Sequence, residues 1–313
     1  MNKFITTDGT NINDGFGSQF QCYLVTYAIA RHLNCEFKYT DMRLCGHVND
    51  IEKEYLNKMM KDIFNSEQVK KNDNLKILNL QKNSPYIEAL KKSITNGVLL
   101  RASSGALSWD TNILQNGMVD IRANAKKIMY NRLTNNEKKL FERIKGNPVL
   151  HVRRGDVDES MPERWISKEI YSKIRLSDYD SSIESNSLII LSESKGYDIE
   201  NIDNLTIIPL LDASFPLSCL VAIEAKLFFT AKSSYSYSIA LLCEPTKVIY
   251  TPFWLAPLPS WRTFEPDTSN YFYENEIKIT TKRSNRFRKL VSKKFIFSYA
   301  IVSTILNLIL FYR

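Results

Sequence analysis

Histidine is scarce in this chain and cysteine forms no pattern. Of 313 residues, three are histidines (His32, His47, His151) and five are cysteines (Cys22, Cys35, Cys45, Cys219, Cys243). No CxxC pair occurs and the cysteine number is odd, which argues for reduced thiols in a cytosolic setting and against a disulfide framework. Cys35, Cys45 and His47 lie close in sequence, but no grouping has zinc-site spacing, so no metal is expected. A signal peptide is also missing: Met1-Asn2-Lys3-Phe4-Ile5-Thr6-Thr7-Asp8 turns polar too soon. Acidic residues are absent between Lys278 and Lys294, where Lys278, Lys282, Arg283, Arg286, Arg288, Lys289, Lys293 and Lys294 stand. Those eight equal the whole net charge of +8. The body is therefore near neutral, and the charge gives no ground for a nucleic-acid partner.

What remains is ordinary globular material, 44% hydrophobic and 24% charged. The length suggests about two domains, because single cores rarely grow past roughly 250–300 residues. The chain is organised around Val149-Leu150-His151-Val152-Arg153-Arg154-Gly155-Asp156. Its apolar part reads as a short buried strand. Its charged part falls where that strand ends, and in open α/β sheets ligands bind beyond the carboxyl ends of strands. Two guanidinium groups there suit phosphate, since the planar fork donates paired hydrogen bonds to anionic oxygens. Gly155 permits a tight turn. A plain surface Arg-Asp pair is the alternative.

In the first half, strands are predicted over 4–6, 36–40, 75–80 and 98–101, and helices over 18–33, 50–64 and 86–94. A basic helical region covers 118–143, broken near Thr134-Asn135-Asn136, where Thr134 or Asn135 can cap the second helix. Gly146-Asn147-Pro148 ends this half. In the second half, strands over 149–152, 187–191, 205–209, 227–230 and 247–250 alternate with helices over 167–176, 217–225 and 234–243. That alternation predicts an α/β fold with parallel sheets covered on both faces.

A second candidate site is Thr230-Ala231-Lys232-Ser233-Ser234-Tyr235-Ser236. It leads from a strand into a helix, so first-turn N–H groups and the hydroxyls of Ser233, Ser234 and Ser236 would cradle phosphate oxygens. Simple helix capping by Ser233 or Ser234 is the alternative. The aromatic, proline-rich stretch 251–261 either lines an acceptor site or packs across a domain surface.

Three separated stretches carry a resemblance. Asp14-Gly15-Phe16-Gly17-Ser18-Gln19 resembles the Gly-Gly-Leu-Gly-Asn-Gln start of the α1,2-fucosyltransferases. His151-Val152-Arg153-Arg154-Gly155-Asp156 resembles the His-x-Arg-Arg-Gly-Asp motif shared by the α1,2-, α1,6- and protein O-fucosyltransferases, and Ser233-Ser234-Tyr235-Ser236 their later Ser-Ser-Phe-Ser motif. The resemblance covers about residues 10 to 262. It implies a GT-B fold of two Rossmann-like domains facing a cleft, 1–146 on the acceptor side and 147–265 binding the nucleotide sugar. It implies inverting, metal-independent transfer of fucose from GDP-fucose to a glycan hydroxyl. By the match, Arg154, with Arg153 as the other candidate, would neutralise the β-phosphate. Ser233, Ser234 and Tyr235 would hold the same diphosphate, His151 would sit near the nucleotide, and Gly15 and Gly17 would let the backbone approach the donor. Asp156 is the candidate base, with Asp8 and Asp14 behind it. Two departures bear on the donor. Asp14 and Ser18 stand where the family shows Gly and Asn, and Ser218 stands near the family's guanine-reading acid, Asp212 being the nearest acid upstream. The same fold with another nucleotide sugar, or a non-catalytic glycan- or phosphate-binding protein, is the alternative.

The end of the chain has its own character. After the basic linker 266–294, residues 295–312 contain no charge, and the stretch approaches the roughly 20 residues a membrane span needs. With the basic flank cytoplasmic, this predicts a C-terminal hydrophobic helix acting as a single-pass tail anchor, the enzyme facing the cytosol. A buried terminal helix is the alternative.

Overall fold

In the computed structural model the described residues are 3–9, 15–42, 46, 50–70, 75–80, 90–91, 94, 97–102, 110–183, 186–202, 204–253 and 255–264. The helix predicted over 86–94 falls largely outside them. So do Asp14, Cys45, His47, the basic linker and the expected membrane span. Among the described residues, no helix is long and apolar enough to cross a membrane.

Residues Met1–Phe264 form one unit built on two sheets. The first half runs β1 (Phe4–Thr7), α1 (Phe16–His32), β2 (Glu36–Phe37), α2 (Asp50–Phe64), β3 (Leu75–Leu80), β4 (Gly97–Ala102), α3 (Thr111–Gly117), α4 (Val119–Arg132) and α5 (Asn135–Ile144). The second runs β5 (Val149–His151), α6 (Lys168–Tyr171), β6 (Ser187–Ser192), β7 (Thr206–Leu211), α7 (Phe215–Ile223), β8 (Phe228–Phe229), α8 (Ser234–Leu242), β9 (Val248–Tyr250) and β10 (Arg262–Thr263). Every strand pairing is parallel, as apolar runs alternating with helices predict.

The first sheet has the order β2-β1-β4-β3, and the second β10-β9-β8-β5-β6-β7. Numbered from its own first strand, the second sheet reads 3-2-1-4-5-6 from its β7 edge, the order of dinucleotide-binding sheets. The order reverses between β5 and β8, so a crevice opens beyond the carboxyl ends of those two strands. Pro209 sits in β7, the outermost strand, where a residue with no N–H to donate is tolerated.

One hydrophobic core runs from the first sheet through α1 and α3–α5 to α7 and α8. The helix α1 is buried nearly all round, wider than the single apolar face its sequence suggests, because it packs on β1 and on α8 together. A second cluster fills the other face of the second sheet, around Leu150, Ile190 and Phe229. Two predicted elements change. The helix expected over 167–176 is only the one turn of α6, followed by a 3₁₀ turn at Leu176–Asp178. Bonds such as Ile174 N–H to the Tyr171 carbonyl tighten the chain here, and Tyr171, Ile174 and Leu176 all enter the second cluster. Strand β10 was not predicted; it is two residues long. Of the stretch 251–261, the described residues Leu255, Leu258 and Trp261 are buried, and the Tyr250 hydroxyl donates to the Leu255 carbonyl at 2.5 Å.

Candidate active site

Beyond the crevice lies a cavity of about 600 Å³. Gly15, Gly17, His151, Arg153, Arg154, Asp156, Ser233, Ser234 and Tyr235 all line it, so the structure brings these residues of the three motifs together. Three chain turns deliver them: the end of β5, the turn from β8 into α8, and the start of α1. Of the two other carboxylates considered as a base, Asp8 is buried but does not line the cavity, and Asp14 lies outside the described residues.

The neighbouring arginines do different work. Arg154 is 1% exposed. Its Nε donates to Asp198 at 2.7 Å, and its terminal nitrogens to the carbonyls of Arg153 (2.9 Å) and Ile166 (3.2 Å). Its guanidinium lies 3.7 Å from the centre of the Trp165 ring. These contacts anchor the loop and engage all three guanidinium nitrogens of Arg154, the residue expected to meet the phosphate. Arg153 reaches across the crevice instead. One terminal nitrogen donates to the Ser233 hydroxyl at 3.1 Å, while the other meets Asp156 at 2.7 Å and Nε meets it at 3.3 Å. Asp156 thus holds Arg153 in place in this state.

Ser233 caps α8, accepting from the Tyr235 N–H at 3.2 Å. Its oxygen also accepts from Arg153, so its own proton remains to be donated. Neither α8 nor α1 carries an acidic residue in its first turn, and both begin at the cavity. Two helix N-termini therefore direct partial positive charge and N–H groups at the same place. Ser236, expected as a phosphate ligand, is buried and accepts from the Ala231 N–H at 2.9 Å, so it shapes the turn.

Gly17 also has a packing reason to be small. A methyl group there would stand 2.5 Å from the Tyr235 Cα, so the glycine lets α1 and α8 touch. The Ser238 hydroxyl donates to the Gly17 carbonyl at 2.8 Å across the same contact. Gly155 has φ +79°, a backbone conformation that residues with a side chain rarely adopt, and the Glu193 carboxylate lies beside it.

His151 is enclosed, 5.7 Å from the Tyr235 ring, and its Nδ1 has no hydrogen-bond partner. Burial, and then the charge of Arg153, push its pKa down to about 3, so it is neutral at pH 7. Burial raises the Tyr235 phenol above its ordinary range, against a hydrogen bond with Ser218.

Sequence reasoning missed Arg164, Ser192 and Glu193, which also line the cavity, and Asp198 and Trp165, which hold Arg154. For Ser192 and Glu193 a signal existed: they end a strongly apolar strand beside β5. For Asp198 and Trp165 there was none. Among the described residues, no group of three His, Cys, Asp or Glu side chains could hold a metal ion.

No protein-family model and no curated protein matches the sequence. Among solved structures, POFUT1 in complex with GDP-fucose aligns with a TM-score of 0.41 at 12% identity, over 82% of this chain and 98% of that one. The E. coli heptosyltransferase WaaC with ADP-2-deoxy-2-fluoro heptose aligns with a TM-score of 0.41 at 10% identity, over 90% and 99%. E. coli ADP-heptose LPS heptosyltransferase II aligns at 0.39 and 10% identity, over 84% and 90%.

Proposed function

We propose that this chain is a GT-B-type glycosyltransferase that binds a nucleoside diphosphate sugar in the cavity at the β5–β8 crevice. One observation carries the reading: Arg153, the Ser233 hydroxyl and the N-termini of α1 and α8 converge on one point of that cavity. A sugar transfer breaks the bond to a diphosphate whose negative charge grows as it leaves. Donors fixed in advance around that charge lower the barrier. These protein groups can meet the charge themselves, which is why we take the transfer to need no metal.

The finer reading, fucose from GDP-fucose passed with inversion to a glycan hydroxyl, rests on the motif resemblance around His151–Asp156 and Ser233–Ser236. The acceptor oxygen attacks the anomeric carbon from the face opposite the leaving oxygen, and its proton passes to a carboxylate. Asp156 suits that task once Arg153 exchanges it for phosphate oxygens, so donor binding and release of the base would be one event. The segment 295–312 would hold the enzyme at a membrane. A second reading keeps the chemistry and changes the nucleotide sugar: Ser218, which stands near the position of the guanine-reading acid, is hydrogen-bonded with Tyr235.

Calorimetry of the full chain with GDP, GDP-fucose, GDP-mannose and UDP-sugars tests this. Guanine nucleotides should bind. Arg153→Ala should lose at least tenfold in affinity with its melting temperature kept, whereas Arg154→Ala should lose about 3 kcal/mol of stability by stranding Asp198. Preference for a uridine nucleotide selects the second reading. Absence of nucleotide binding, or an Arg153→Ala protein that binds like wild type, overturns the proposal.

A further inference from the structure

Three separate segments meet on one side chain beside the cavity. Arg154 comes from the turn after β5, Trp165 and Ile166 from the segment before α6, and Asp198 from the segment after β6. The Arg154 guanidinium lies 3.7 Å from the Trp165 ring centre and donates to the Ile166 carbonyl at 3.2 Å and to Asp198 at 2.7 Å. A cation buried this deeply is costly unless a carboxylate neutralises it, and Asp198 does so. Neither Asp198 nor Trp165 lines the cavity.

What the buried cation holds is the backbone of its neighbour. The third guanidinium nitrogen, Nη1, donates to the Arg153 carbonyl at 2.9 Å. The chain on either side is clamped by backbone bonds: the Val152 N–H donates to the Leu191 carbonyl and the Gly155 N–H to the Lys195 carbonyl, each at 2.9 Å. Between those two clamps the Arg153 carbonyl is fixed by the Arg154 side chain. Holding that carbonyl sets where the Arg153 side chain leaves the backbone, and from there it crosses to the Ser233 hydroxyl at 3.1 Å. Such support matters because a long arginine has much rotamer freedom to lose. A binding group works only when the contacts behind it hold it within about 0.5 Å of its place.

We propose that Asp198 and Trp165 are positioning residues for the donor: through Arg154 they set the Arg153 carbonyl, and with it the place where the Arg153 guanidinium meets diphosphate. This rests on the reading of the cavity as a nucleoside diphosphate site, and it makes two residues outside the cavity determinants of donor affinity. The test is calorimetry of the full chain with GDP, ADP, UDP and inorganic pyrophosphate, each variant first shown to melt cooperatively. Asp198→Ala should bind nucleotide and pyrophosphate about tenfold more weakly than wild type. Asp198→Asn keeps an oxygen for the Arg154 Nε–H and should recover most of that loss. Trp165→Leu should weaken both ligands about threefold, and Trp165→Phe should restore them. The deciding comparison is made in Arg153→Ala. There Asp198→Ala and Trp165→Leu should each change affinity by less than about twofold, because the group they position is gone. If Asp198→Ala does not fold, Trp165→Leu carries that comparison. A loss of equal size with and without Arg153 is a general structural effect and overturns the proposal. So do folded Asp198→Ala and Trp165→Leu proteins that bind like wild type, and so does a loss seen with nucleotides and not with pyrophosphate. All three outcomes leave the nucleotide reading standing. If neither pyrophosphate nor any nucleoside diphosphate binds wild type, or if Arg153→Ala binds like wild type, that reading fails and this one with it.

Discussion

Arg153 and Arg154 share a motif and a backbone, and they end in opposite environments. Arg154 is stacked on Trp165 and tied to Asp198, 44 residues away, while Arg153 keeps a side chain 23% exposed against Asp156. His151, two residues before them, is the other informative side chain. Its folded pKa near 3 lies below the ordinary histidine value, first through burial and then through Arg153. Below about pH 6.5 the unfolded chain takes up a proton that the folded chain refuses. The contribution to stability is therefore whole above pH 6.5 and is lost as pH falls toward 3. We expect denaturant unfolding to show wild type losing about 2 kcal/mol more than His151→Gln between pH 7 and 4.5. Equal acid sensitivity of the two proteins would refute a neutral, enclosed His151.

At the scale of elements, α5 shows how a local signal also serves a distant contact. Thr134 caps it, and Glu137 returns the bond to the Thr134 N–H at 2.8 Å, closing a capping box. The Ser214 hydroxyl, at the cap of α7, donates to the other Glu137 oxygen at 2.5 Å. Burial alone would raise the Glu137 carboxyl, but the bonds from Ser214 and Thr134 hold it below its ordinary range. Thr134→Ala should cost about 1 kcal/mol, read as a lower urea midpoint with nucleotide affinity unchanged. An unshifted midpoint would mean the box adds nothing. The cap was legible to within one residue, Thr134 or Asn135, because a cap is a pattern four residues long. The bond to Ser214 was not, for it spans 77 positions. Helix α6 stops short for a similar reason: burying Tyr171, Ile174 and Leu176 together prevails over local helix preference.

Across the whole molecule, the two sheets are joined where α1 meets α8. Gly17 and Tyr235 lie in backbone contact, so the helix N-termini that face the cavity also brace one another. Gly17→Ala should therefore destabilise the fold by about 2 kcal/mol, the cost of overpacking where backbone cannot yield, and weaken nucleotide binding at the same time. A variant with wild-type melting and affinity would show that the contact has slack. Before any coordinates, the strand ends and the order of the motifs could be read. An apolar run closing in Arg-Arg-Gly-Asp or Lys-Ser-Ser is a local pattern, and parallel alternation then forces such turns to one edge of a sheet. Folding alone settled which arginine is tied to Asp198 and which reaches Ser233, what Gly17 packs against, and that Glu193 shares the cavity with Ser233. Each of these depends on a partner tens or hundreds of residues away. A side chain's direction is set by the contacts it finds, and those contacts exist only once the chain has closed on itself.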